Sequence, residues 1–151
     1  MPAKRLQQYL DQQGVKYRVI THSPAFTAQD VAEVAHVPGS VLAKVVIVTL
    51  DGQMTMIVVP APKKIHTDTL AQALSAKEVT LLHENDFREQ FPDCQVGALP
   101  PFGNLYEMPV YLDAELAHQP EIVFSAGSYR ELFSLPVKDY LRLVQPKQFS
   151  G

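Results

Sequence analysis

One stretch constrains this chain more than any other: Val41–Leu50, an almost unbroken aliphatic run with a lysine, Lys44, near its start. Such a run is typical of a strand buried on both faces, and the Asp51-Gly52 pair that follows predicts a tight hairpin turn into a partner strand. Burying an ammonium group costs several kcal/mol unless something pairs it. Lys44 therefore either extends to the surface, the commoner arrangement for a single lysine, or faces a polar cavity.

The length of 151 residues fits one domain, residues 1–151, with a core large enough to hold an internal pocket. Its composition, 46% hydrophobic and 19% charged, is that of a globular chain. A net charge of −3 excludes a broad basic field, so we expect no DNA partner, and an RNA partner would require a local patch. No apolar segment is long enough for a signal peptide or a membrane span, which predicts a cytoplasmic protein without a membrane partner.

Helical and strand patterns alternate along the chain. Strands are predicted at residues 17–21, 41–50, 54–59, 78–82, 110–112, 121–124 and 132–135, the first of them half-buried. Helices are predicted before Gly14, from Thr27 to the Pro38-Gly39 pair, over 67–74, from Asn85 as the cap to residue 91, and after Pro136. This mixture, with neighbouring hairpins, predicts an α+β fold in which helices flank a mixed, mostly antiparallel sheet.

The reactive side chains form no recognisable catalytic pattern. The five histidines are scattered, and no two of them have the spacing of metal ligands on one helix face. Cys94 is the only cysteine, which excludes an internal disulfide and a cysteine zinc site, and no neighbouring cation is present to lower its pKa. We therefore expect no metal and no cofactor, and structural roles for these residues.

Two segments of small residues admit a catalytic interpretation. In Gly97–Gly103 two glycines flank a Pro-Pro pair, so a preshaped backbone could present an N–H group to a developing oxyanion, a contribution of roughly 3 kcal/mol. A rigid surface turn is the alternative. Ser125–Ser128 is predicted to be a turn, and it could also form the wall of a narrow pocket. The Lys63-Lys64 pair either belongs to a basic rim for phosphates or is simply solvated.

Several of these segments follow one another in a distinctive order: Thr21-His22-Ser23-Pro24, the helix from Thr27, Ala43-Lys44-Val45, Gly97–Gly103 and Phe124-Ser125-Ala126-Gly127. Over nearly the whole chain this order resembles the YbaK/prolyl-tRNA synthetase-associated domain family, with a Gly-x-x-x-Pro element met by Gly97 and Pro101. The resemblance implies a compact mixed sheet and an editing deacylase, which hydrolyses the ester of a wrongly charged aminoacyl-tRNA. It implies tRNA as a partner and leaves an aminoacyl-tRNA synthetase open as another.

The same resemblance implies roles for individual residues. Lys44 would orient the ester carbonyl or the terminal phosphate region of the substrate. The backbone of Gly97 would stabilise the oxyanion while water attacks, without a cofactor. The substrate would be bound by His22, Phe26, Val31, Pro101, Ser125 and Gly127.

The amino acid removed is left open among small ones. Where alanine-specific members of the family have a His-Pro-Leu stretch, this chain has Ser125-Ala126-Gly127, as in the cysteine-editing type. Alanine, serine, cysteine and threonine are all compatible with a narrow pocket. Two alternatives from other classes also stay open: a non-catalytic module of the same fold that binds tRNA or an amino acid, and an enzyme that uses Lys44 as a Schiff-base amine.

Overall fold

The aliphatic run around Lys44 forms a hairpin, as predicted. In the computed structural model, which describes residues 2–151, it becomes strand β2 (Leu42–Leu50). Asp51 and Gly52 both have positive φ, 48° and 85°, the conformation of a tight two-residue hairpin turn. β2 then pairs antiparallel along its length with β3 (Gln53–Pro60).

The described strands form one mixed sheet around this hairpin. The others are β1 (Arg18–Thr21), β4 (Val79–Leu81), β5 (Val110–Asp113), β6 (Glu121–Ser128), β7 (Glu131–Pro136) and β8 (Lys147–Phe149). Their order is β1-β7-β6-β2-β3-β5-β8, and β4 pairs with β2. The β2–β6, β3–β5 and β5–β8 pairs are parallel, and the other four pairs are antiparallel. The predicted mixed sheet, with more antiparallel than parallel pairs, is confirmed.

Helices cover both faces of the sheet. Within the described residues they are α1 (Lys4–Gln12), α2 (Ala28–Val34), α3 (Thr67–Ala73), α4 (Glu84–Phe87), α5 (Ala114–Ala117) and α6 (Val137–Val144). Consecutive residues of β2 enter different cores because strand side chains alternate between faces. Ile47 packs in the cluster that includes Leu6 of α1 and Tyr140 of α6, whereas Val48 packs in the cluster that includes Leu70 of α3. The expected burial on both faces is thus confirmed at the centre of β2.

Residues 125–128, predicted to be a turn, instead continue strand β6. The register between β6 and β7 shifts between Ser125 and Ser128, which marks a β-bulge, and the chain reverses at residues 129–130. Pairing with β7 overrides the turn preference of these small residues.

Other local differences arise at short or edge elements. Asn85 does not cap a helix, because α4 already begins at Glu84, where the Asp86 carboxylate accepts a hydrogen bond from the His83 N–H at 2.9 Å. β1 is mostly exposed rather than half-buried, since it is an edge strand paired only with β7. The sequence does not predict α5 and β8, which have four and three residues and are too short to show a hydrophobic period.

The sheet takes strands from both ends of the chain, and on this basis we propose that the chain folds as one domain. Among residues 2–151, none of the helices has the length and apolar character that crossing a membrane requires.

Candidate active site

A gap opens in the sheet where β2 and β6 separate. These parallel strands pair only at two positions, the second of which joins Ala43 to Phe124. Further along β2, strand β4 pairs with the edge from which β6 has separated. Lys44 and Ser125, the next residues of the two strands, both line a cavity of about 300 Å³, here called the fork cavity. Ligand sites are common at such branch points of open sheets.

The fork cavity contains one cation in a largely apolar wall. Its lining residues come from α2 and the preceding loop, from β2 and β6, and from α4 and the following segment: Phe26, Thr27, Ala28, Val31, Leu42, Ala43, Lys44, Val45, Phe87, Val96, Gly97, Leu99 and Ser125. Lys44 is the single ionisable residue in this set. Its partial burial lowers the pKa of its ammonium below the usual value of 10.5.

A neutral backbone group positions the Lys44 ammonium. Lys44 Nζ donates a hydrogen bond to the carbonyl oxygen of Lys63. The side chain of Lys63 forms an ion pair with Asp113, which is 1% exposed and whose second oxygen accepts from the Glu115 N–H at 2.9 Å. The Lys63 backbone is therefore fixed by a buried pair, whereas within residues 2–151 the charge of Lys44 meets only a carbonyl dipole. Asp113 carries no sequence signal of this role, because it lies fifty residues from its partner.

Gly97 lies at the edge of the cavity in a short 3₁₀ turn, Val96–Ala98. Its N–H donates to Tyr129 Oη at 3.3 Å. A Cβ at this position would be 3.1 Å from the Tyr129 ring and 3.5 Å from the Phe26 carbonyl oxygen, so the close approach favours glycine. An oxyanion could accept this N–H only if Tyr129 Oη moved aside.

The rest of the Gly97–Gly103 segment is buried, so a surface turn is the wrong description for it. Phe102 is fully buried among aromatic rings, and the Pro101 carbonyl accepts a hydrogen bond from Tyr140 Oη at 2.6 Å. Pro101 therefore anchors the segment to α6 and does not line the cavity.

Five of the eight predicted site residues come together at the fork cavity: Lys44, Gly97, Phe26, Val31 and Ser125. His22 lies outside it, with Nδ1 2.6 Å from the Ser23 carbonyl oxygen. The sequence did not indicate Phe87, which contributes to the cavity from a helix forty-three residues beyond Lys44.

A second, larger cavity lies on the other side of Phe26. It has a volume of about 610 Å³ and is here called the bulge cavity, since it is lined by the β6–β7 bulge and by the loop before Val96: Pro24, Phe26, Pro92, Asp93, Cys94, Gln95, Gly127, Ser128, Tyr129 and Arg130. The Phe26 and Tyr129 rings meet edge to face between the two cavities, with centroids 4.8 Å apart.

Gly127 belongs to the bulge cavity and not to the fork cavity. Its φ is +90°, and a Cβ there would lie 2.7 Å from the Cβ of Ala3. The Ala3 N–H also donates to the Ala126 carbonyl at 2.7 Å. The small residues of this stretch thus admit the N-terminal segment against β6, which is a packing role.

Cys94, in the bulge cavity, has the properties of a structural thiol. Its burial raises the pKa of the thiol to about 12, and Sγ is 3.3 Å from Tyr106 Oη. A thiolate is therefore scarce at neutral pH. Among the described residues, no group of three or more histidine, cysteine or acidic side chains could hold a metal ion.

Comparison with known proteins identifies the family. The sequence profile of the aminoacyl-tRNA editing domain matches residues 22–143. The chain is 26% identical over 149 residues to the multifunctional Ser/Thr-tRNA deacylase ProXp-y of Escherichia coli (strain K12), an alignment that covers 95% of this chain and 89% of that protein.

Solved structures show the same fold. The hypothetical protein APE2540 superposes with a TM-score of 0.83 at 18% identity, covering 96% of this chain and 97% of that one. A protein proposed as a trans-editing enzyme for prolyl-tRNA synthetase gives a TM-score of 0.79 at 21% identity, covering 99% and 96%. Because the profile spans most of the sequence, the chain belongs to the aminoacyl-tRNA editing domain family, and it is an aminoacyl-tRNA deacylase.

Proposed function

We propose that this deacylase removes serine, threonine or a similarly small amino acid from mischarged tRNA, with Lys44 as the catalytic cation. The observation that carries the proposal is the fork cavity, in which one ammonium group faces a narrow pocket. The Lys44 ammonium donates to the Lys63 carbonyl and, among the described residues, forms no ion pair with a carboxylate, so its charge stays available to the substrate. Positive charge placed where negative charge develops in the transition state is a strong catalytic effect.

Water is the proposed nucleophile. It attacks the ester carbonyl carbon, the carbonyl oxygen becomes an oxyanion beside Lys44 Nζ, and collapse of the intermediate breaks the bond to the terminal ribose oxygen. The attacking water gives up one proton to solvent, the ribose oxygen takes one up from solvent, and the products are the free amino acid and tRNA. The Gly97 N–H is a further proposed donor to the oxyanion, since it lies at the same cavity and its bond to Tyr129 Oη is long.

The size and polarity of the cavity support small hydroxyl amino acids as substrates. A volume of about 300 Å³ is at the low end of the range for small-molecule sites, and the buried Val31 is part of its wall. Forcing a misfit into close-packed walls costs roughly 1–3 kcal/mol. The hydroxyls of Thr27 and Ser125 are the available partners for a serine or threonine hydroxyl, and the similar E. coli protein is named for these two amino acids.

A partner synthetase stays a prediction. It is supported only by the description of one structural neighbour, which refers to prolyl-tRNA synthetase.

The test is release of free amino acid from seryl-, threonyl-, alanyl- and phenylalanyl-tRNA by the purified chain. We expect hydrolysis of the small amino acids and at least tenfold slower hydrolysis of the phenylalanyl ester. Lys44→Ala should abolish the activity, whereas Lys77→Ala, at an exposed lysine away from both cavities, should not change it. Binding of charged tRNA without release would instead support the non-catalytic module.

Borohydride trapping distinguishes the proposed attack by water from the Schiff-base alternative. A Schiff base between Lys44 and a carbonyl substrate would become a stable adduct on reduction. We expect no adduct, and formation of one at Lys44 would overturn the proposed role of water.

A further inference from the structure

We propose that Lys63 is a positioning residue, which keeps the ammonium of Lys44 free for the substrate by occupying a carboxylate within the reach of Lys44. The Lys63 ammonium pairs with Asp113, and the Lys63 carbonyl accepts the hydrogen bond from Lys44. Lys44 is thereby held in place without being neutralised. This inference rests on the proposed function, since it takes the ammonium of Lys44 as the catalytic group.

The sheet places Lys44 and Asp113 on one face, two strands apart. Lys44 of β2 pairs with Val59 of β3, and the β3–β5 register, continued by one residue from the Val58–Leu112 pair, places Asp113 beside Val59. Residues directly opposite on neighbouring strands point to the same face. With strands about 4.8 Å apart, the two Cα atoms are about 10 Å apart, a gap that a flexible lysine and an aspartate side chain together can span.

A fixed turn brings Lys63 between these two side chains. After β3 ends, the Lys63 N–H donates to the Pro60 carbonyl at 3.0 Å, and the Ala61 N–H donates to the Leu42 carbonyl at 2.9 Å. These bonds close the turn and tie it to the first residue of β2. The carbonyl oxygen of Lys63 and the base of its side chain are therefore held near the end of the β2–β3 hairpin that carries Lys44.

Asp113 has no spare oxygen for Lys44 while Lys63 is present. The carboxylate is 1% exposed, one oxygen accepts from the Glu115 N–H at 2.9 Å, and the other meets the Lys63 ammonium. A carboxylate this buried is strongly destabilising when it is unpaired. If Lys63 were replaced by an apolar residue, Asp113 would therefore attract the ammonium of Lys44.

Few other charges bear on Lys44. Lys44 is the single ionisable residue among those that line the fork cavity, and its neighbour on β3, Val59, is apolar. The other titratable side chains of α2, α3, α4 and α5, and the lysine next to Lys63, are exposed to solvent: Asp30, Glu33, Asp68, Glu84, Asp86, Glu115 and Lys64. Solvent screens such charges, so the Lys63–Asp113 pair is the charged group that should control the protonation of Lys44.

Two single variants and their combination test the proposal. Lys63→Met leaves the carboxylate without its partner. Asp113→Asn removes the negative charge and keeps an oxygen for the Glu115 N–H. The pKa of Lys44 is measured by competitive acetylation with acetic anhydride across a range of pH, followed by mass spectrometry of the peptide that contains Lys44. Over the same range, kcat/KM for seryl-tRNA is measured and corrected for uncatalysed hydrolysis.

The single variants should shift the pKa of Lys44 in opposite directions. In Lys63→Met the freed carboxylate attracts the Lys44 ammonium and raises its pKa by about one unit. At neutral pH kcat/KM should fall about tenfold, because the ammonium leaves its position. In Asp113→Asn the unpaired Lys63 ammonium repels that of Lys44 and lowers its pKa by about one unit, so kcat/KM declines at lower pH. The double variant, which lacks both charges, should return the pKa of Lys44 close to the wild-type value.

Controls separate this effect from a general loss of structure. Lys63→Arg keeps a cation beside Asp113 and should retain the wild-type pKa of Lys44. Arg18→Gln and Glu121→Gln, at an exposed ion pair, change the net charge by the same amounts as the two single variants and should leave that pKa unaltered. Shifts of the same sign in Lys63→Met and Asp113→Asn, or no shift in either, would overturn the proposal.

Acetylation, which requires no activity, separates this inference from the proposed function. If Lys44→Ala kept full deacylation, the catalytic role of Lys44 would fail, but opposite pKa shifts would still show that Lys63 controls its charge. If Lys44→Ala abolished deacylation and the single variants left the pKa of Lys44 unchanged, the positioning role would fail and the proposed function would stand. Thermal unfolding of each variant sets a temperature at which all of them are folded.

Discussion

The two cavities that meet at Phe26 each contain one group whose pKa is shifted by burial, and the consequences differ. Burial lowers the pKa of the Lys44 ammonium and raises the pKa of the Cys94 thiol to about 12. In both cases the charged form is disfavoured. An anionic partner would therefore stabilise the Lys44 ammonium, whereas burial of Cys94 removes the nucleophilic thiolate. The same physical cause therefore favours an anionic partner for Lys44 and leaves the Cys94 thiol unreactive.

A second contrast separates two lysines of one network. Lys63 forms an ion pair with the buried carboxylate of Asp113, while in the described part of the chain the Lys44 ammonium contacts only the Lys63 carbonyl. In an ion pair the charge of the lysine is neutralised by its partner, whereas a carbonyl group positions the ammonium without neutralising its charge. Lys63 should thus matter mainly for stability, and Lys44 for activity.

The largest expected effect is on activity at Lys44. Lys44→Met should lower kcat/KM by about 10²–10³-fold, as removal of an oxyanion donor does in comparable sites. Stability should be unchanged or slightly higher. The lowered pKa means that the folded chain holds the proton less readily than the unfolded chain, so at neutral pH the ammonium destabilises the fold and its removal does not. Deacylation kinetics and thermal unfolding of the same preparation measure both quantities.

The pH dependence tests the protonation state. If the ammonium form of Lys44 acts, kcat/KM corrected for uncatalysed hydrolysis should fall as pH rises through the lowered pKa of Lys44, below 10.5. Lys44→Arg should keep whatever small activity it has across that range, because a guanidinium does not deprotonate there. A rate that increases through the same transition would indicate the neutral amine and favour the Schiff-base alternative.

At Lys63 the expected effect is on stability. Lys63→Met leaves the carboxylate of Asp113 buried without its partner, and we expect a loss of about 3 kcal/mol in the free energy of unfolding, the low end of the range for broken buried pairs. The low end applies because the Lys63 side chain is 23% exposed and water can reach the pair.

The matched control is Arg18→Gln, which breaks the exposed pair with Glu121. It should cost less than 1 kcal/mol. Urea unfolding of both variants makes the comparison, and equal losses would show that the buried pair does not stabilise the Lys63 backbone as inferred.

Gly127 tests whether the two cavities are separate. Gly127→Ala places a Cβ against Ala3 and requires a positive φ, so we expect a loss of about 1–3 kcal/mol in stability. Seryl, threonyl and alanyl esters should be affected equally, because Gly127 does not line the fork cavity. A change confined to the larger amino acids would show that Gly127 does limit the amino-acid pocket.

The sequence predicted those parts of the structure that are determined by residues close to one another in the chain. The β2–β3 hairpin follows from an aliphatic run and an Asp-Gly turn, and the unusual position of Lys44 is visible in the same run. The prediction of a turn at Ser125–Ser128 was wrong, because pairing with β7 sets the conformation of this segment. The Lys63–Asp113 pair and the contact of Tyr129 with Gly97 join residues far apart in the chain, and local patterns carry no signal of them.

The smallest expected effect is that of replacing Cys94, the buried thiol that we compare with Lys44. Cys94→Ala should leave kcat/KM for seryl-tRNA within about twofold of wild type, since the proposed mechanism requires no thiolate. A pKa raised from 9.0 to about 12 reduces the thiolate fraction at neutral pH by about a thousandfold, so alkylation by iodoacetamide should be correspondingly slow in the folded chain and rapid in urea. Rapid alkylation of the folded chain together with loss of activity would show that the bulge cavity contains a reactive thiol. It would contradict the conclusion that Cys94, unlike Lys44, takes no part in the reaction.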